Sequence, residues 1–138
     1  MRYLAIDFGE KRIGLATSDA SGTLATPRRT VRRTSDRAAI EEIAGFARRE
    51  EVEGLVVGVP HHADGRENAL APRVRSFARK LSESLALPVE FVNEHLTSRA
   101  AAERYPSDEI DAAAAAVLLD DFLSARPRDG GRAGERGR

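Results

Sequence analysis

The stretch that most narrows the fold is Gly54-Leu55-Val56-Val57-Gly58-Val59, closed by Pro60. It carries no polar side chain, so a strand built from it has no face suited to water. A strand on an open surface alternates apolar and polar residues, whereas one covered by helices on both sides does not. The flanking glycine and proline hold the run to the length of a strand. The run therefore predicts a central parallel strand in a sheet with helices on both faces.

The neighbouring segments fit around it. Residues 2–8 read as a buried strand, Arg12 to Ser18 as a second and Thr23 to Arg33 as a third, with Gly9 and Gly22 in the joining turns. These three form an antiparallel meander. Ser35 or Asp36 suits the N-cap of a helix whose Ile40, Ile43, Ala44 and Ala47 recur at spacings of three and four. After the central strand, Leu70, Val74, Phe77, Ala78, Leu81 and Leu85 mark a second helix, which Pro88 stops before a strand running to Asn93. Thr97 or Ser98 suits the cap of a short helix ending before Pro106. Ser107 suits the cap of a last helix, with Ile110, Ala114, Val117, Leu118 and Phe122 facing inward. The order predicts an α/β fold with a mixed five-stranded sheet, the parallel part joined by right-handed crossovers. One domain over residues 1–125 is expected. Residues 126–138 carry no apolar side chain larger than alanine or proline and are expected to be a disordered tail.

Composition limits the function classes. The chain has no cysteine, which excludes disulfides and thiolate metal sites and fits a reducing cytoplasm. It shows neither a secretory signal pattern nor an apolar run of membrane-spanning length. Its 22 basic and 22 acidic residues cancel, so a polyanion would have to be held by local patches and not by a global field.

Three acids fall where elements end. Asp7 closes the apolar run Tyr3-Leu4-Ala5-Ile6, Glu94 ends the strand from Val89, and Asp111 lies in the first turns of the alanine-rich helix. A lone buried carboxylate is costly, so such residues need partners. A turn aspartate bonded to backbone N–H groups accounts for Asp7 alone, and an arginine partner accounts for Glu94. Asp111 shares a helix face with Ala114, Ala115, Leu118 and Phe122, which aims it toward the sheet. Carboxylates gathered on one rim favour hard divalent cations, Mg²⁺ or Mn²⁺. Such ions activate water and neutralise a phosphodiester. Asp7, Glu94 and Asp111 are thus the candidate catalytic and metal-binding residues, with Asp108 as a further acid that suits a solvent-facing position.

The candidate nucleic-acid contacts are arginines. Arg12 is close to Asp7 in sequence, and Arg28, Arg29, Arg32 and Arg33 form the densest basic cluster. Strand alternation would divide that cluster between two faces. A solvated edge strand resisting aggregation explains it equally well. His61 and His62 follow Pro60 in a surface loop where adjacent side chains diverge, and His95 could meet a phosphate.

Several strings together resemble the bacterial putative pre-16S ribosomal RNA nuclease family, also described as Holliday-junction-resolvase-like, with a ribonuclease H fold. They are Asp7-Phe8-Gly9-Glu10-Lys11-Arg12-Ile13-Gly14-Leu15-Ala16, Ala25-Thr26-Pro27, Val56-Val57-Gly58-Val59-Pro60, Asp64-Gly65, Leu87-Pro88-Val89, Glu94-His95-Leu96-Thr97-Ser98 and Asp111-Ala112-Ala113-Ala114-Ala115. In order and spacing they cover residues 1–124. The resemblance implies that Asp7, Glu94 and Asp111 are catalytic metal-binding acids, with Mg²⁺ or Mn²⁺ as cofactor. It also implies that the chain matures the 5′ end of pre-16S ribosomal RNA in the cytoplasm. Two departures stand out. The family usually has Asp-Glu-Arg where this chain has Asn93-Glu94-His95. The segment Glu103 to Ile110 is short and net acidic where the family is usually longer and basic.

Other readings remain open at this point. Structured RNA is the expected partner and a DNA junction the alternative substrate. A non-catalytic module binding ribosomes or transcription machinery would retain the fold with weakened substrate contacts. An ATP-handling protein of the actin and sugar-kinase type shares the core and an Asp-x-Gly loop, but encloses its nucleotide between two such domains. No membrane partner is expected, and the sequence leaves the oligomeric state open.

Overall fold

The computed structural model describes residues 1–61, 64–94 and 110–125, with Glu94 and Ile110 described by their backbone only. The strands are β1 (Tyr3–Phe8), β2 (Arg12–Ser18), β3 (Ala25–Arg32), β4 (Gly54–Pro60) and β5 (Val89–Glu94). The helices are α1 (Asp36–Glu50), α2 (Ala71–Leu85) and α3 (Ile110–Ala125). The expected short helix from Thr97 or Ser98, the Ser107 cap and the 126–138 tail lie outside the described residues.

The five strands form one sheet in the order β3-β2-β1-β4-β5. β1 pairs antiparallel with β2 and parallel with β4, β2 pairs antiparallel with β3, and β4 pairs parallel with β5. This is the mixed sheet that the sequence predicts. The apolar run of β4 lies between β1 and β5 and is buried from Gly54 to Val59. Because β1, β4 and β5 are parallel, their carboxyl ends share one rim.

Period-two alternation assigns the two faces. Leu4, Ile6 and Phe8 of β1, with Ile13, Leu15, Leu55 and Val57, pack against α1 and α2 through Ile43, Phe46, Val74, Phe77 and Leu81. Tyr3, Ala5, Ala16 and Val56 pack on the opposite face against Ala115, Ala116 and Leu119 of α3. Tyr3 meets Phe122 edge to face at 5.1 Å between ring centroids. Asp7 follows Ala5 by two residues and therefore belongs to the α3 face.

Local chemistry fixes the helix ends. Ser35 is the N-cap of α1, its hydroxyl accepting from the Ala38 amide at 3.1 Å. Asp36 lies in the first turn and Arg48 and Arg49 in the last, each matching the helix dipole. α2 opens with Pro72 in its first turn, where a missing N–H costs nothing.

α3 differs from the expected inward stripe. Residues Ala112 to Leu119 are all buried, so the whole middle of the helix lies inside. Ala115, Ala116 and Leu119, with Phe122 and Leu123, meet the sheet, whereas Ala113, Ala114 and Val117 form a separate cluster. An alanine-rich helix carries no polar side to mark which residues face the strands. Asp111 is one turn before Ala115 and so continues the sheet-facing row.

Candidate active site

The β1–β2 hairpin positions the first acid. A β-carbon on Gly9 would overlap the carbonyl of Arg12, so glycine permits the tight return of the chain after Asp7 and Phe8. Asp7 is half-buried and pairs in register with Gly14 of β2. Gly14 has the same facing as Ala16, toward α3. A β-carbon there would overlap the backbone carbonyl of Asp111, so the first turn of α3 rests directly on the β2 backbone at Gly14. Asp7 and Asp111 are thus neighbours of one glycine, from the strand beside it and the helix above it.

Glu94 is the last residue of β5 and pairs with Pro60. Extending the Ile6–Val57 register places Asp7 level with Gly58, which pairs with Val92. Glu94 is then two strands away from Asp7 and two residues farther toward the rim. Ideal strand spacings make that on the order of 12 Å between backbones. The three acids therefore occupy the same rim of the sheet. Among the described residues, no group of three or more acids or histidines is gathered closely enough to hold an ion, and the Glu94 side chain is outside that set. The donors fit a hard divalent cation by chemistry: carboxylates at the carboxyl end of a parallel strand and in the first turn of a helix packed against the same face.

Arg12 is part of this arrangement. Its Nε lies 2.9 Å from Oδ2 of Asp111, with the arginine side chain 63% exposed and the aspartate 29%. Arg12 pairs in register with Arg32 of β3, which is exposed and makes no salt bridge among the described residues. Arg12, Gly14 and Arg32 share the α3 facing, so these two arginines lie on the side of the sheet that carries Asp7 and Asp111.

The rest of the arginine cluster goes elsewhere. The β2–β3 register shifts between Leu15 and Ala16, with Leu15 opposite Arg29 and Ala16 opposite Pro27. Arg28 is the extra residue of this bulge. Simple alternation would put Arg28 and Arg29 on opposite faces, but the bulge turns both toward α1. Their guanidinium carbons lie 5.3 and 5.5 Å from the Phe46 ring centroid. Arg28 binds Glu50 at 2.7 Å and the Thr17 hydroxyl at 3.1 Å, and Arg29 lies 3.8 Å from Glu42. The Arg28 contact holds the Glu50 carboxyl below its ordinary pKa. Arg33 binds Asp36 at 2.9 Å and donates to the Glu10 carbonyl. Arg28, Arg29 and Arg33 thus already have partners, on the side away from the acids.

His61, expected on a loop surface, is largely enclosed: its Nδ1 lies 2.7 Å from the Val59 carbonyl and its side chain is 9% exposed. His62, His95 and Asp108 lie outside the described residues. Sequence reasoning missed the part played by Gly14. The available signal was a glycine inside an otherwise apolar strand, which marks close approach of another backbone.

Comparison with known proteins gives a consistent picture. The family described as RuvX: Holliday junction resolvase matches residues 1–125. A protein of Rippkaea orientalis described as "Putative pre-16S rRNA nuclease" is 37% identical over 132 residues, covering 89% of this chain and 95% of its own. One of Prochlorococcus marinus with the same description is 38% identical over 129 residues, covering 90% and 80%. Among solved structures, Thermus thermophilus RuvC in complex with a Holliday junction substrate superposes with a TM-score of 0.59 at 19% identity, covering 90% of this chain and 95% of that one. The fowlpox virus Holliday junction resolvase gives 0.56 at 13% identity, covering 91% and 100%. At these identities the two structures bear on the fold alone, and they agree with the ribonuclease H-like architecture.

Proposed function

Because the chain belongs to the RuvX Holliday junction resolvase family, we propose that it is a divalent-metal-dependent nuclease acting on structured RNA. Its task in this reading is 5′-end maturation of pre-16S ribosomal RNA in the cytoplasm. One observation carries the proposal: Gly14 pairs with Asp7 and receives the first turn of α3 at Asp111, on the sheet face that also holds Arg12 and Arg32. Packing at a glycine brings the backbones that carry two acids together where a hydrophobic contact would otherwise serve.

Asp7, Glu94 and Asp111 are the residues that would hold Mg²⁺ or Mn²⁺. The ion, when bound, supplies the positive charge that polarises a phosphoryl oxygen and makes water a better nucleophile at neutral pH. The chain's own residues do the remaining work. The close-packed Asp7–Gly14–Asp111 seat fixes the backbones that carry the two acids before substrate arrives, which limits reorganisation during reaction. Arg12 and Arg32 supply positive charge on the same face for the sugar-phosphate backbone.

RNA is favoured because the relatives at 37% and 38% identity are described as pre-16S rRNA nucleases, and the family's own description as a Holliday junction resolvase makes a DNA junction the alternative substrate. No helix among the described residues is long and apolar enough to cross a membrane. Depleting the protein from its host tests the assignment. Precursors of 16S RNA with extended 5′ ends should accumulate. Unchanged 16S ends, with unresolved DNA junctions instead, would move the substrate to DNA. Neither change would favour a non-catalytic binding module.

A further inference from the structure

With Asp111 read as an ion ligand under the proposed function, we infer that Arg12 is its displaceable counter-ion and is released to the substrate when the ion binds. The Arg12 Nε lies 2.9 Å from Asp111 Oδ2, so the guanidinium occupies one of the two carboxylate oxygens open to a cation and places its charge beside the other. Two cations cannot both sit against one carboxylate without repelling each other. Arg12 is the partner able to leave. It stands at the first residue of β2, and its side chain is 63% exposed. The same exposure keeps the pair weak enough to exchange.

Released from Asp111, the guanidinium remains anchored one strand away from Asp7. Its planar fork of donors matches two oxygens of a phosphate. Arg32, opposite Arg12 in register, repels it and so favours its departure to an incoming anion. Ion and phosphate then assist each other: each binds more tightly once the other has claimed its share of the Arg12–Asp111 pair. An arginine that only grips phosphate has no reason to oppose the ion. A purely structural ion pair would not change ion affinity and RNA affinity in opposite directions.

The experiment is calorimetric titration of Mn²⁺ into the full chain, wild type against Arg12→Gln, Arg12→Lys, Arg32→Gln and Asp111→Asn. Thermal melting in chelator checks that each variant is folded. Arg12→Gln should bind Mn²⁺ about 2- to 5-fold more tightly than wild type, the fold-change expected from removing a part-exposed ion pair. Arg12→Lys should stay near wild type. Arg32→Gln, which removes an equal charge without touching Asp111, should tighten binding less than Arg12→Gln. In parallel, Arg12→Gln should raise KM for a structured RNA. Mn²⁺ affinity that is unchanged or weaker in Arg12→Gln overturns the inference. So does equal tightening by Arg32→Gln, which would show a general field effect. Wild type that binds Mn²⁺ no better than Asp111→Asn would instead remove Asp111 from the ligand set, and the counter-ion role with it.

Discussion

The backbone carbonyl of Asp111 lies where a side chain on Gly14 would have to go. The helix carrying one candidate acid and the strand facing the other touch main chain to main chain at this glycine. Gly14→Ala must therefore move α3 or bend β2, because the overlapping atoms are backbone and have no rotamer to change. The expected loss of stability is about 3 kcal/mol, the upper end of overpacking costs. RNA cleavage should fall further than the folded fraction does, since the displaced element is the one bearing Asp111. Denaturant unfolding compared with cleavage per folded molecule measures both. A Gly14→Ala protein with wild-type stability would show that the close approach is not required.

The arginines sort by the face they occupy. Arg28 is tied to Glu50, Thr17 and the Phe46 ring, and is the extra residue of the β3 bulge. Arg28→Ala should cost about 1–2 kcal/mol of stability through the lost ion pair and ring contact. It should reduce RNA cleavage much less than Arg12→Ala does, because Arg12 lies beside Asp111. Activity lost in the reverse order would place the substrate across the α1 face.

The loop between β2 and β3 predicts an acid response. Asp19 accepts from the amides of Thr23 and Leu24 at 2.8 and 3.2 Å, and from the hydroxyls of Ser21 and Thr23 at 2.9 and 3.0 Å. The backbone donors, led by Thr23, hold its pKa well below the ordinary carboxylate range. A pKa lower in the folded than in the unfolded chain gives a stabilisation that is fully present above the unfolded value, about 4, and is lost as pH falls through the folded value. Asp19→Asn should therefore be less stable than wild type at pH 7. The gap should narrow steadily below about pH 4. Melting temperatures across pH 2–7 report it, and a gap independent of pH would contradict the assignment.

Most of the fold is legible in the sequence because its signals are local. The glycine- and proline-bounded run of β4, the serine before α1 and the apolar run of β1 each state their environment within a few residues. Three features are not local. The β3 bulge adds a residue that leaves no mark in the sequence, and it moves Arg28 and Arg29 to one face. In α3, a nearly continuous apolar surface hides which residues meet the sheet. The Arg12–Asp111 pair joins positions far apart in the chain and depends on where α3 lands on β2. Asp7 and Asp111 can be read from the sequence as acids at element ends. Their meeting at Gly14 depends on the packing of α3 against β2.

Cleavage of a structured RNA carrying the 5′-flanking region of 16S RNA tests the account most directly. The comparison is wild-type protein against Asp7→Asn, each in chelator and with added Mn²⁺. Wild type should cut only when Mn²⁺ is present. Asp7→Asn should retain its melting transition in chelator and lose activity by on the order of 100-fold or more, as expected for removal of a direct ion ligand. Cleavage by wild type in chelator, or undiminished cleavage by folded Asp7→Asn, would contradict a metal-dependent nuclease centred on Asp7.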